Sequence, residues 1–111
     1  MQLENNLKEK KCVPCEGGVK PLTPDEYGSF LRTTLAGWQD FKEKQIVKEY
    51  AFEDFKEALA FVNKVGALAE FEGHHPDIHL HGWNKVTITL TTHAIGGLSE
   101  NDFIMASKID D

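Results

Sequence analysis

The stretch from about Asp54 to Glu72 constrains the fold of this chain more than any other. Phe55, Leu59, Val62 and Ala69 recur at helical spacing, and Ala58, Phe61, Val65 and Leu68 widen the apolar face. A face that broad cannot be left in water, so this helix has to cover a sheet, with some of its width available to a neighbouring subunit. Extended segments flank it on both sides. Between Trp38 and Phe52, residues Trp38, Phe41, Ile46, Val47, Tyr50 and Phe52 are spaced for two strands with a turn near Glu43-Lys44. In Asp77 to Trp83, Ile78 and Leu80 alternate against Asp77, His79 and His81. In Lys85 to His93, Val86, Ile88 and Leu90 alternate against Thr87, Thr89, Thr91 and His93. A period of two places each set on one face of a strand, and the polar Gly82-to-Lys85 stretch supplies the turn between them.

Helices are expected at both ends of this pattern. Thr23-Pro24-Asp25-Glu26 combines a capping threonine, a proline at the first helical position and a capping-box glutamate. Tyr27, Phe30, Leu31 and Leu35 continue it as a stripe, and Gly37 ends it. Ser99, with Asp102 three residues on, opens a last helix carrying Phe103, Ala106 and Ile109. The order α-β-β-α-β-β-α predicts an α+β fold, a four-stranded antiparallel sheet with helices packed on one face. At 111 residues the chain is one domain of 23–111, preceded by a polar, Gly/Pro-punctuated arm of 1–22.

Charge and composition exclude several functions. A formal net charge of −6 argues against direct binding to a phosphate backbone. No apolar run approaches the ~20 residues that span a bilayer, and MQLENNLKEKK has no signal-peptide core; the expected location is the cytoplasm. Cys12 and Cys15 form a C-x-x-C in the arm. In a reducing compartment both are expected as thiols. Glu16-Gly17-Gly18 follows where a thioredoxin-type site would start a helix, and two thiolates would need two histidines from elsewhere to close a zinc site.

All five histidines lie between His74 and His93. His79 and His81 fall on the polar face of a strand and are expected to face solvent. His74-His75-Pro76 follows a helix-ending glycine on a loop that Pro76 constrains, and His93 ends a strand before a glycine-rich loop, a common place for functional groups. Clustered imidazoles serve metal binding or general acid–base catalysis. The metal spacings are weak, because H-x-x-x-H and H-x-H here straddle a proline and a strand rather than a helix face. An unperturbed imidazole titrates near ~6.5, so two or three can divide proton donor and acceptor roles near neutrality. The residues alone leave a small acid–base enzyme or a metal-binding domain.

Glu70, His74-His75-Pro76, Trp83, His93 and Asp102 together resemble the signature of the pterin-4a-carbinolamine dehydratases. Three residues separate Glu70 from His74, six Pro76 from Trp83, nine Trp83 from His93 and eight His93 from Asp102. Asn84-Lys85-Val86, Thr91-Thr92-His93, Gly97-Leu98-Ser99-Glu100 and Leu22-Thr23 are also similar to the family. The resemblance implies dehydration of 4a-hydroxytetrahydrobiopterin, or a related pterin, to the quinonoid dihydropterin, in the recycling of tetrahydropterin used by aromatic amino acid hydroxylases. It implies catalysis by His74, His75 and His93 without metal or cofactor. It further implies pterin contacts from Gly73, His74, His75, Thr91, Thr92 and His93, support from Glu70, Pro76, Trp83 and Asp102, and a homodimer or homotetramer. Gly73 departs from the acidic residue that animal members carry there. Trp83 reads as a structural aromatic rather than a stacking partner. The competing expectation is a non-catalytic interaction or metal-binding module on the same fold, with His79, His81, Cys12 and Cys15 as ligands.

Overall fold

The computed structural model describes residues 7–13 and 19–111. Three helices and four strands run in the expected order: α1 (Pro24–Arg32), β1 (Gln39–Phe41), β2 (Gln45–Ala51), α2 (Phe55–Glu72), β3 (Asp77–His81), β4 (Lys85–Leu90) and α3 (Glu100–Asp110). Short 3₁₀ turns cover Leu7–Glu9 and His93–Ile95. The strands form one antiparallel sheet in the order β1-β2-β4-β3.

Alternation settles which face is buried. Register pairs Ile46 with Leu90, Lys48 with Ile88 and Tyr50 with Val86, and Ile78 and Leu80 join the same face across β4. Ile46, Val86, Ile88 and Leu90 are completely buried there beneath the helices. The opposite face carries Val47, Glu49, Thr87, Thr89, Asp77, His79 and His81. α2 lays Ala58, Val65 and Ala69 on the core. Asp54 caps its start by accepting from the Glu57 amide, and Gly73 ends it with φ of 70°, a left-handed turn that favours glycine.

Three departures from the sequence reading have local causes. α1 stops at Arg32 instead of running past Leu35 to Gly37. Its end is the β-branched pair Thr33-Thr34, and the Thr33 hydroxyl and the Leu35 amide are bonded back to Ser29 and Phe30 carbonyls. The first hairpin turns through Lys42, Glu43 and Lys44, where a turn is expected, but positive φ at Lys42 and Glu43 shapes it so that Phe41, expected in the apolar pattern of the strand, is exposed.

The third departure concerns residues 7–13, expected as part of a polar arm and found to be packed. Leu7 and Cys12 are buried, Cys12 N donates to Glu72 Oε1, and Val13 and the Asn101 side chain exchange two hydrogen bonds. This cover explains why α3 is buried on nearly every side, with Ile104, Met105 and Ser107 enclosed as well as the expected Phe103, Ala106 and Ile109. Cys15, the second half of the C-x-x-C, lies outside the described residues.

Candidate active site

α2 ends at Gly73 and releases His74 and His75 immediately before β3; β4 delivers Thr91, Thr92 and His93 at its exit. β3 and β4 are antiparallel, so the entry of one and the exit of the other fall at the same end of the hairpin. The sequence neighbours of the two strands therefore meet in space. Gly73, His74, His75, Thr91, Thr92, His93 and Ala94 line one open pocket of about 290 Å³.

Behind the pocket stands a buried carboxylate. Ser99 and Asp102 form the capping box that starts α3, and the same Asp102 reaches His74. Asp102 Oδ1 lies 2.7 Å from His74 Nε2; the carboxylate is 0% exposed and the imidazole 12%. The other oxygen, Oδ2, accepts from Thr92 Oγ1 at 2.7 Å and from the Ser99 amide at 3.0 Å. An ionised carboxylate only accepts, so opposite it a neutral His74 ring carries its proton on Nε2 and keeps the lone pair on Nδ1. That tautomer makes Nδ1 a proton acceptor beside the pocket.

The other two histidines are held differently. His75 pairs through Nε2 with Glu70 in the last turn of α2, and both side chains are well exposed. Water screens such a pair, so it aims the ring without contributing much stability. His93 opens the 3₁₀ turn that closes as Thr92 N bonds Gly97 O and Gly96 N bonds His93 O. A Cβ at Gly97 would stand 2.8 Å from Pro21 Cβ, so glycine is needed where this loop passes the start of the domain. The turn keeps His93 at the surface.

The threonines are placed differently from one another. Thr91 Oγ1 donates to the Lys44 carbonyl, tying the pocket rim to the β1–β2 turn. Thr92 is buried, and its hydroxyl is engaged with Asp102 and Ser99. Pro76 is half-buried between His75 and β3. Trp83 sits in the β3–β4 turn with φ of 59° and is 60% exposed. It lies a strand's length, roughly 20 Å, from the pocket end of the hairpin, and it takes no part in the hydrophobic core of the described residues, where a structural aromatic is expected. Sequence reasoning missed Ala94 as a pocket wall, and it read Ser99 only as a helix start. The Ser99-x-x-Asp102 spacing signals the helix start alone; the contact of Ser99 with Thr92 has no local signal.

The described members of the alternative ligand set, His79, His81 and Cys12, are divided by the sheet. The His79 and His81 rings stack with centroids 4.6 Å apart on the face away from the helices, where His81 meets Thr87 and Glu49. Cys12 is on the helix side, with Sγ against the Asn101 carbonyl; burial foremost, then the neighbouring Glu72 charge, push its thiol up to about 12. Among the described residues no group of three or more His, Cys, Asp or Glu side chains is arranged to hold a metal ion.

Fold and site thus define a small α+β protein with a histidine–carboxylate pocket at the mouth of a β-hairpin. Residues 20–111 match the family model described as pterin 4 alpha carbinolamine dehydratase, and the chain belongs to that family. A protein of Alkaliphilus metalliredigens, provisionally named a pterin-4-alpha-carbinolamine dehydratase, is 49% identical over 96% of this chain and 95% of its own length. One of Rubrobacter xylanophilus, provisionally given the same name, is 48% identical over 96% and 97%. Among solved structures, a transcriptional coactivator/pterin dehydratase from Brucella melitensis superimposes with a TM-score of 0.74 at 35% identity, covering 82% of this chain and 96% of that one. A pterin dehydratase-like protein described as a RuBisCO assembly factor in the alpha-carboxysome gives 0.57 at 30% identity, covering 67% and 86%. No helix among the described residues is long and apolar enough to cross a membrane.

Proposed function

We propose that this protein dehydrates a 4a-hydroxytetrahydropterin, 4a-hydroxytetrahydrobiopterin or a close relative, to the quinonoid dihydropterin and water. The reading rests on one observation above the family membership: His74, paired through Nε2 with buried Asp102, shares a pocket with His93. The reaction removes the proton from the ring nitrogen next to C4a and protonates the departing C4a hydroxyl. The electron pair of the N–H bond becomes the C=N bond as water leaves, so the step needs one base and one acid. His74 Nδ1 serves as the base and His93 as the acid; after each turnover the two protons are exchanged back through solvent. His75, aimed by Glu70, orients the substrate. Gly73, Thr91, Thr92 and His93 form the walls, with Thr92 contributing its backbone and methyl group because its hydroxyl is engaged.

The same reading places the protein in pterin recycling beside a pterin-dependent hydroxylase, working in the cytoplasm as a homodimer or homotetramer. Phe55 and Leu59, exposed on the outer side of α2, support self-association. Because a fold hosts more than one function, and one solved relative is described as an assembly factor, the assay must be direct. Freshly generated 4a-carbinolamine should be dehydrated faster with the protein than without it, equally with and without chelator. His74→Ala and His93→Ala should each lower turnover by about 10²–10⁴-fold, the usual worth of a positioned acid or base. Near-wild-type rates in both variants would sink the assignment, and no acceleration by the native protein would favour an assembly role.

A further inference from the structure

Thr92 and Ser99 form a directed chain of hydrogen bonds that ends on His74. Asp102 is completely buried, and as a carboxylate it can only accept. Thr92 Oγ1, 2.7 Å from Oδ2, must therefore donate its single proton there. The same Thr92 oxygen is 2.7 Å from Ser99 Oγ, so in that contact it must accept and Ser99 must donate. The Ser99 amide adds a second donor to Oδ2 at 3.0 Å. With Oδ2 saturated by two donors, Oδ1 is directed at His74 Nε2, 2.7 Å away.

We propose that Thr92 and Ser99 are positioning residues: through Asp102 they hold His74 in the tautomer that leaves Nδ1 free to take a proton. Thr92 accordingly acts by supporting His74 and not by binding pterin through its hydroxyl. The catalytic consequence rests on the dehydratase reading, whereas the tautomer does not. Thr92→Val keeps the shape and removes the donor. The carboxylate then loses a hydrogen bond that stabilises its charge and one of the contacts that fix its rotation, and His74 loses its single tautomer.

The test has two readouts on the full chain. With ¹⁵N-labelled histidine at a pH where the ring is neutral, the native protein should show His74 protonated at Nε2 alone, and Thr92→Val should show a mixture of tautomers. In the carbinolamine assay Thr92→Val should lower kcat by about 10- to 100-fold, the range expected when an outer partner that orients a site carboxylate is removed, with KM changed less than about twofold. Thr92→Ser, which restores the hydroxyl, should return most of the loss. Should Thr92→Val not fold, Ser99→Ala removes the first donor of the chain and should show the same change in His74 signals in smaller measure. An unaltered His74 tautomer in Thr92→Val, or in Ser99→Ala where that variant stands in, would overturn the proposal. So would a raised KM with kcat held, which would make Thr92 a substrate contact. If the native protein dehydrates no carbinolamine, the catalytic reading falls and the tautomer measurement still decides the positioning role.

Discussion

Asp102 does two jobs with two oxygens, and the division predicts how its replacement behaves. Oδ2 receives a backbone amide that cannot turn away and a threonine hydroxyl; Oδ1, among the described residues, receives the histidine. In Asp102→Asn the amide oxygen must therefore stay with Ser99 and Thr92, and the NH₂ group must face His74. A donor opposite Nε2 drives the histidine proton to Nδ1, where it blocks base catalysis. Turnover should fall by about 10²–10⁴-fold while the far-ultraviolet circular dichroism spectrum stays native. Retained turnover would show that His74 is not the base. Cys12 makes a second residue-scale case. Its thiol, raised to about 12 by burial, holds almost no thiolate at neutral pH. In a Cys15→Ser background, alkylation of Cys12 should be slow in the native protein and should track unfolding in denaturant.

At the scale of elements, α2 and α3 are joined by a buried ion pair. Glu72 Oε2 lies 2.6 Å from Lys108 Nζ, with side-chain exposures of 1% and 16%, and Cys12 N completes the carboxylate from the segment preceding α1. Burial opposes the Glu72 charge, yet the Lys108 hydrogen bond, the Cys12 amide and the Lys108 charge outweigh it and hold the carboxyl below the ordinary glutamate range. A carboxylate whose folded-state pKa is depressed contributes stability above its unfolded pKa, and that contribution is lost as pH falls through the folded value. Lys108→Met should therefore destabilise by about 3 kcal/mol at neutral pH by stranding the charge. The difference from the native protein should shrink in acid, below the ordinary glutamate range, as measured by urea unfolding across pH.

The period-two runs and the broad stripe of α2 made this level legible, because burial repeats with the geometry of the backbone. The end of α1 and the packing of residues 7–13 were not legible. They depend on the Ser29 and Phe30 carbonyls and on Glu72 and Asn101, partners that a local pattern does not name.

For the whole molecule, the exposed Phe55 and Leu59 of α2 carry the expectation of self-association. Leu59→Lys should lower the sedimenting mass to that of a single chain while preserving secondary structure; an unchanged mass would place any interface elsewhere. The sheet organises the rest. It separates the stacked His79 and His81 from the pocket by facing them away from the helices, and it brings His74 and His93 together because antiparallel neighbours share an end.

Sequence by itself determined the order of elements and the faces that β2, β3 and β4 bury, since both follow from spacing along the chain, and the family resemblance singled out His74, His75 and His93. Only the tertiary structure decided that His74 meets Asp102, 28 residues away, that Thr92 supports this pair, and that Trp83 stands apart at the far turn. Spacing fixes where a side chain sits on its own element. Which atom faces which, and so where a proton resides, is set when elements far apart in sequence pack together.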